Sequence, residues 1–187
     1  MKDINLLSLD LELNQPSGTI IQVGAVVGNL ASGEILAEYS AHIWTAEIIN
    51  PTITQLTGIR QTDVLNGICL ITAYRQLIQL HKDFNCFRNA LVWGGGDSEY
   101  LKTQLEKSPS LPILHSAEGL KFYLFGRRWI DAKTLYVSRC FKTDVPYQGG
   151  LSKAMTKLGL QFKGKKHQAC DDARNTFYIY RKLLEIM

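Results

Sequence analysis

The spacing of the apolar residues changes once along this chain, and that change constrains the fold more than any other feature. Three strand-like segments come first, over residues 4–13, 19–29 and 34–44. They are separated by Gln15-Pro16-Ser17-Gly18 and Ala31-Ser32-Gly33, which hold turn-forming residues. Connections this short predict an antiparallel meander, because parallel neighbours need a long crossover. Beyond residue 50 the period becomes helical. Asn50-Pro51-Thr52 opens a short helix, and residues 70–87 read as a longer one with Ala73, Leu77, Leu80 and Phe84 at helical spacing. A brief apolar run over 90–93 ends in Gly94-Gly95-Gly96. A helix over 98–107, a proline-containing loop over 108–120, a strand over 128–131 and helices over 132–141, 149–158 and 168–185 follow. Strands first, then strand–helix alternation, predict an α/β fold with a mixed sheet flanked by helices. The order of the strands is not readable from this pattern.

A chain of 187 residues, 45% hydrophobic and 20% charged, has the size and composition of one globular domain, here residues 1–187. Those figures exclude a disordered tail, a collagen-like repeat and a disulfide miniprotein. Cys69, Cys86, Cys140 and Cys170 form no CxxC pair, so a zinc knuckle or redox dithiol lacks its sequence basis, and their apolar neighbours predict buried thiols. The first residues carry no secretion-signal pattern, and no apolar run approaches the ~20 residues needed to cross a bilayer. The expected setting is therefore cytoplasmic and reducing, without a membrane. The net charge of +4 conceals a split: residues 1–120 hold 7 basic and 12 acidic side chains, residues 121–187 hold 14 and 5. Such asymmetry points to a polyanionic partner or to a solvated basic face.

Three places stand out chemically. In the first strand Leu7, Leu9, Leu11 and Leu13 form one apolar face, which puts Asp10 and Glu12 side by side on the other. Two carboxylates there repel each other unless a cation sits between them or the strand is a solvent-facing edge. In the last helix Asp172 lies in line with Thr176, Ile179 and Leu183 and points toward the body of the protein. Asp171 falls with Asn175, Tyr178 and Lys182 on the polar side. His167 follows the cationic stretch Lys163-Gly164-Lys165-Lys166 and is expected on a loop, where an imidazole is suited to abstracting a proton from water or is simply a surface group. Asp97, after the glycine triplet, either caps the next helix or faces a substrate strand that the glycines let approach. Asp131 reads as a helix cap, and Trp44, Trp93 and Trp129 as core residues rather than base-stacking platforms.

Taken in order, these positions resemble the motif set of the DEDDh exonucleases, the DnaQ-like branch of the RNase H-like fold. Ser8-Leu9-Asp10-Leu11-Glu12 resembles the first motif, with residues 19–26 where the family has its second strand. Residues 53–59 resemble the family's Leu-Thr-Gly-Ile segment, and Trp93-Gly94-Gly95-Gly96-Asp97 the second motif. His167-Gln168-Ala169-Cys170-Asp171-Asp172-Ala173-Arg174-Asn175 resembles the third, with the His-to-Asp spacing of five kept. The Trp-Gly of the second motif and the form of the third are similar to those of the Eri-type and KapD-like exonucleases, many of which process RNA. Gly95 and Gln22 depart from residues frequent in the family.

The resemblance implies an RNase H-like mixed five-stranded sheet and a 3′–5′ exonuclease that releases nucleoside 5′-monophosphates from single-stranded RNA or DNA. It implies that Asp10, Glu12, Asp97 and Asp172 hold two Mg²⁺ or Mn²⁺ ions about 4 Å apart, with Asp10 bridging them, and that His167 accepts the proton of the attacking water. Leu56 and Thr57 become candidates for the wall around the terminal nucleotide. Lys163, Lys165 and Lys166 become candidates for phosphate contacts, or else form a solvated hairpin. Three other readings stay open: a DNA proofreading or trimming subunit, a non-catalytic nucleic-acid-binding module and a small-molecule phosphatase. Protein partners are not indicated.

Overall fold

The computed structural model describes residues 1–108, 125–126, 128–143 and 149–186. Three long strands open the chain: β1 (Asn5–Leu13), β2 (Ile20–Asn29) and β3 (Ile35–His42). Helices α1 (Pro51–Thr57), α2 (Gln61–Leu65) and α3 (Leu70–Asp83) lead to β4 (Leu91–Val92) and α4 (Gly96–Glu106). Then come β5 (Ile130–Asp131), α5 (Ala132–Cys140), α6 (Leu151–Lys157) and the long α7 (Ala169–Ile186). The strands form one sheet in the order β3-β2-β1-β4-β5. The meander β1–β2–β3 is antiparallel, and β4 and β5 add to the other side of β1 in parallel. This is the mixed five-stranded sheet of the RNase H-like fold. The expected loop over 108–120 lies, beyond residue 108, outside the described residues.

β1 is central, and both of its faces are covered. Leu7, Leu9 and Leu11 pack with Ala73, Tyr74, Leu77 and Ile78 of α3 and with Leu101 and Leu105 of α4. On the opposite face Leu6 joins Val26, Leu91, Ala132 and Phe177. A solvent-facing edge is thereby excluded as the explanation of Asp10 and Glu12. α7 lies across β2 so closely that a side chain at Gly24 has no space: a Cβ there would stand 2.0 Å from the Cys170 nitrogen. Gly28, on the same face, likewise makes room for the Phe177 ring. These two glycines let the helix settle on the sheet, and the third apolar cluster joins it to α5 and α6 through Tyr136, Met155, Ile179 and Leu183.

Local chemistry sets the element ends. Asn50 caps α1 by accepting from the Thr52 N–H at 2.9 Å, Pro51 supplies the first helical residue, and Gly58 closes the helix in the left-handed conformation at φ 80°. Asp131 caps α5 as expected, accepting from Lys133 and Thr134, and the same Oδ1 takes the Gly94 N–H at 2.9 Å. Helix α2 has no counterpart in the periodic reading, because five residues are too few to display a helical period. Helix α4 begins earlier than expected, and α3 ends at Asp83, just before Asn85 takes a positive φ of 45°. Two expectations of burial are corrected. Trp44 is 53% exposed and Cys69 is exposed, both lying in the connections beyond β3 rather than under a helix. All four cysteines are free, and Cys86 and Cys140 are buried.

Candidate active site

The site forms where the meander, the start of α4 and the start of α7 meet. On β1 the side chains of Leu6, Ser8, Asp10 and Glu12 follow one another on the face that carries α7. Ser8 donates to the Ala173 carbonyl at 2.8 Å, which fixes the register between strand and helix. One residue earlier on the helix is Asp172, whose N–H donates to the Gln168 carbonyl at 2.9 Å. The inward direction expected for Asp172 is observed, with Thr176, Ile179 and Leu183 fully buried below it. The polar assignment of Asn175 is corrected: it is fully buried, because the segment 163–165 wraps over it. Asp171 is paired with Arg174 rather than free in water.

Asp97 occupies the second position of α4, behind Gly95 at the cap, so it is not the capping residue. Its carboxyl is pushed up to about 7 by burial and then by the charge of Asp131. Burial, followed by the charges of Asp97, Asp172 and Glu12, holds Asp10 well above the ordinary carboxylate range. Glu12 is pushed up to about 8 by burial and then by Asp172 and Asp97. Asp172 stands at about 6: burial raises it, the His167 N–H pulls it back, Asp171 raises it and Lys166 lowers it. Four carboxylates that resist ionising together are unstable as a set of bare anions, and a cation among them relieves every one of these shifts.

The geometry fits such a cation. Carboxylate oxygens of Glu12 and Asp172 and a ring nitrogen of His167 lie within 4.8 Å of one another. Asp172 Oδ1 is buried with no hydrogen-bond partner, an orphaned acceptor aimed at the place a metal would take. Oxygen donors in this number suit a hard divalent ion. His167 is on an exposed loop as expected, at φ 60°, and its N–H donates to Asp172 Oδ2 at 3.3 Å.

Of the remaining candidates, Thr57 and Lys165 are joined to each other beside the histidine, whereas Lys163 turns to Tyr178 on α7. Leu56 is half-exposed on α1. The Thr57 side chain is buried and turned inward, its hydroxyl donating to the Ile53 carbonyl and accepting from the Ile59 N–H. Its carbonyl instead faces the histidine segment and accepts from Gln168 Nε2 at 2.5 Å and Lys165 Nζ at 3.4 Å. Lys163 Nζ stands 4.5 Å from the centre of the Tyr178 ring. Lys166 is exposed beside His167. Sequence reasoning noted Gln22 only as a departure from the family. It is buried opposite Glu12 in the β1–β2 register and accepts the Ala169 N–H at 3.0 Å, seating the start of α7. Its place on a fully apolar strand was the available signal.

Known proteins share sequence and fold with this chain. Residues 7–180 match the RNase_T family, described as exonuclease. The chain is 30% identical over 182 residues to mouse ERI1 exoribonuclease 2, a match covering 90% of this chain and 26% of that protein. It is 29% identical to the Drosophila melanogaster 3′-5′ exonuclease Snipper, covering 83% of this chain and 57% of the relative. This chain thus spans about a quarter of the mouse relative's length. Among solved structures, the nuclease domain of 3′hExo, a DEDDh family member bound to rAMP, superposes with a TM-score of 0.72 at 21% identity, over 98% of this chain and 93% of that one.

Proposed function

The chain belongs to the RNase_T exonuclease family, and on that premise we propose that it is a metal-dependent 3′–5′ exonuclease acting on single-stranded RNA or DNA. The observation that carries this reading is the convergence of Asp10, Glu12, Asp97 and Asp172, from three separate elements, on one site where each carboxylate is held above its ordinary range. In the proposal residues 1–187 act as one exonuclease domain, and the four free thiols accord with a reducing, cytoplasmic setting. Among the described residues no helix is long and apolar enough to cross a membrane.

The four carboxylates would hold two divalent ions, Mg²⁺ or Mn²⁺. Bound there, the pair would activate water and stabilise the charge that develops on the phosphate and on the leaving 3′-oxygen. His167, exposed and within reach of Glu12 and Asp172, would take the proton of the attacking water and release it to solvent along the loop. Asp10, on the central strand and sensing the charges of the other three carboxylates, would be one of the residues that hold the ions. Leu56 would present an apolar edge to the terminal nucleotide, while the Thr57 carbonyl keeps the histidine segment against that wall. Lys163, Lys165 and Lys166 would neutralise phosphates as the strand enters.

The test is digestion of 3′-labelled single-stranded RNA and DNA side by side, with Mg²⁺ and with Mn²⁺. The expected result is metal-dependent release of nucleoside 5′-monophosphates from at least one of them. Polynucleotides left intact beside a hydrolysed chromogenic phosphodiester would sink the reading in favour of a phosphatase.

A further inference from the structure

We infer that Asn175, with Asp171 beside it, is a positioning residue: it fixes segment 163–167 so that the His167 ring stays turned toward Glu12 and Asp172. The inference rests on the reading of His167 as proton acceptor given above. Every residue of this segment is exposed, so apolar burial does not hold it. Gly164 at φ 86° and His167 at φ 60° are both in the left-handed region, which is strained for the histidine. An exposed segment of this kind ordinarily belongs to the parts of a protein that open most readily.

What holds it is a set of polar anchors. Asn175 Oδ1 accepts from the Lys163 N–H at 2.9 Å, while its Nδ2 donates to the Lys163 carbonyl at 2.8 Å and to the Asp171 carbonyl at 2.7 Å. One planar amide thus satisfies both main-chain groups of Lys163, as a neighbouring strand would, which needs an acceptor and a donor on a short side chain. Asp171 Oδ2 accepts from the Lys165 N–H at 2.8 Å, and its other oxygen pairs with Arg174, which is itself held by Glu38 at 2.7 Å. Beyond the histidine, Gln168 is tied to the Thr57 carbonyl and Ala169 to Gln22. Between these anchors the His167 main chain is held by longer bonds, its N–H on Asp172 Oδ2 and its carbonyl under Gln168 Nε2, both at 3.3 Å, and its ring is left to face the carboxylates. At Gly164 a Cβ would lie 2.2 Å from the Asp171 carboxyl, so only glycine lets the segment come this close.

A double-mutant cycle in kcat tests this, using a 3′-labelled single-stranded oligonucleotide that the wild type digests in Mn²⁺. Asn175→Ala is expected to lower kcat by about 10- to 100-fold, the effect of a misplaced catalytic group, with KM and Mn²⁺ affinity changed less than about threefold. In a His167→Ala background the same change should lower kcat by less than about twofold, because the group it positions is gone. Gly164→Ala, which loosens the segment without touching the helix core, should behave the same way and serves if Asn175→Ala does not fold. Equal losses in both backgrounds, or losses confined to KM, would overturn the positioning role alone. A His167→Ala enzyme as active as the wild type would overturn the catalytic reading of the histidine, and this inference with it.

Discussion

The two sides of the site reach the same cleft with different means of staying rigid. On the β1 side, Asp10 and Glu12 face Gly24 and Gln22 across an antiparallel ladder that keeps its register from Asn5 to Glu12, with β4 paired on the other flank and helices over both faces. On the α7 side, Asp172 stands one turn into a helix, and His167 precedes it on an exposed segment held by hydrogen bonds from side chains. Carboxylates that repel one another need the stiff support, since any freedom would let them separate or take up protons in place of a metal. A group that moves a proton to solvent needs access to water. The difference separates two tasks, holding charge together and passing a proton out, and it orders the effects of substitution.

The largest loss is expected on the stiff side. Asp10→Asn keeps the shape of the strand and removes the charge that the other three carboxylates sense. Turnover should fall by about 10⁴-fold, the scale seen when one member of a group acting as a unit is removed. The metal-free protein should melt at a higher temperature than the wild type, since a repulsive buried charge is gone. Digestion assays and thermal melts in a chelator check both halves. An Asp10→Asn protein with full metal-dependent activity would break the assignment of this strand.

On the loop side the loss should be smaller and free of any effect on folding. His167→Ala removes one exposed side chain, and general-base groups contribute typically about 10²–10⁴-fold. The expected result is a kcat lower by about 10²-fold or more with an unchanged melting temperature. Destabilisation as large as that of a core substitution would show that the histidine segment carries the fold, and the contrast between the two sides would fail.

Between these sides lies the contact that joins them, the seat of α7 on β2. Gly24→Ala would force a methyl group onto the backbone of Ala169 and Cys170. Overpacking of this kind costs typically about 1–3 kcal/mol, and here it would also tilt the helix carrying Asp172 away from β1. Denaturant unfolding should record the lost stability, and Mn²⁺ titration a weaker metal affinity. If affinity were unchanged, the two sides would be mechanically independent.

How much of this was legible in the sequence follows the same division. The facing of Asp10 and Glu12 is a matter of strand period, and the inward turn of Asp172 one of helix period; both are local and both are observed. The meander and its turns were readable for the same reason. The centrality of β1 was not, because it depends on where a two-residue strand, β4, pairs after a long excursion. Asn175 was misread because a helical period records what a helix offers, whereas burial depends on what arrives from elsewhere. Its cover comes from a segment twelve residues earlier, joined by hydrogen bonds that leave no hydrophobic trace. Gln22 is the same case across 147 positions.

The smallest effect separates the sides by pH in the absence of metal. Glu12 at about 8, Asp97 at about 7 and Asp172 at about 6 all stand above the values near 4 that these groups have in an unfolded chain. Between about pH 4 and pH 8 the folded protein therefore binds more protons than the unfolded one, and stability falls as pH rises through that window. Thermal melts in a chelator at pH 5, 7 and 9 should show a descending series. Saturating Mn²⁺ should flatten or reverse it, because the ion binds the ionised carboxylates of the folded state only. Glu12→Gln should weaken the metal-free slope. A metal-free melting temperature that climbs from pH 5 to pH 9 would mean that the carboxylates are not crowded, and the physical case for a cation between them would fall.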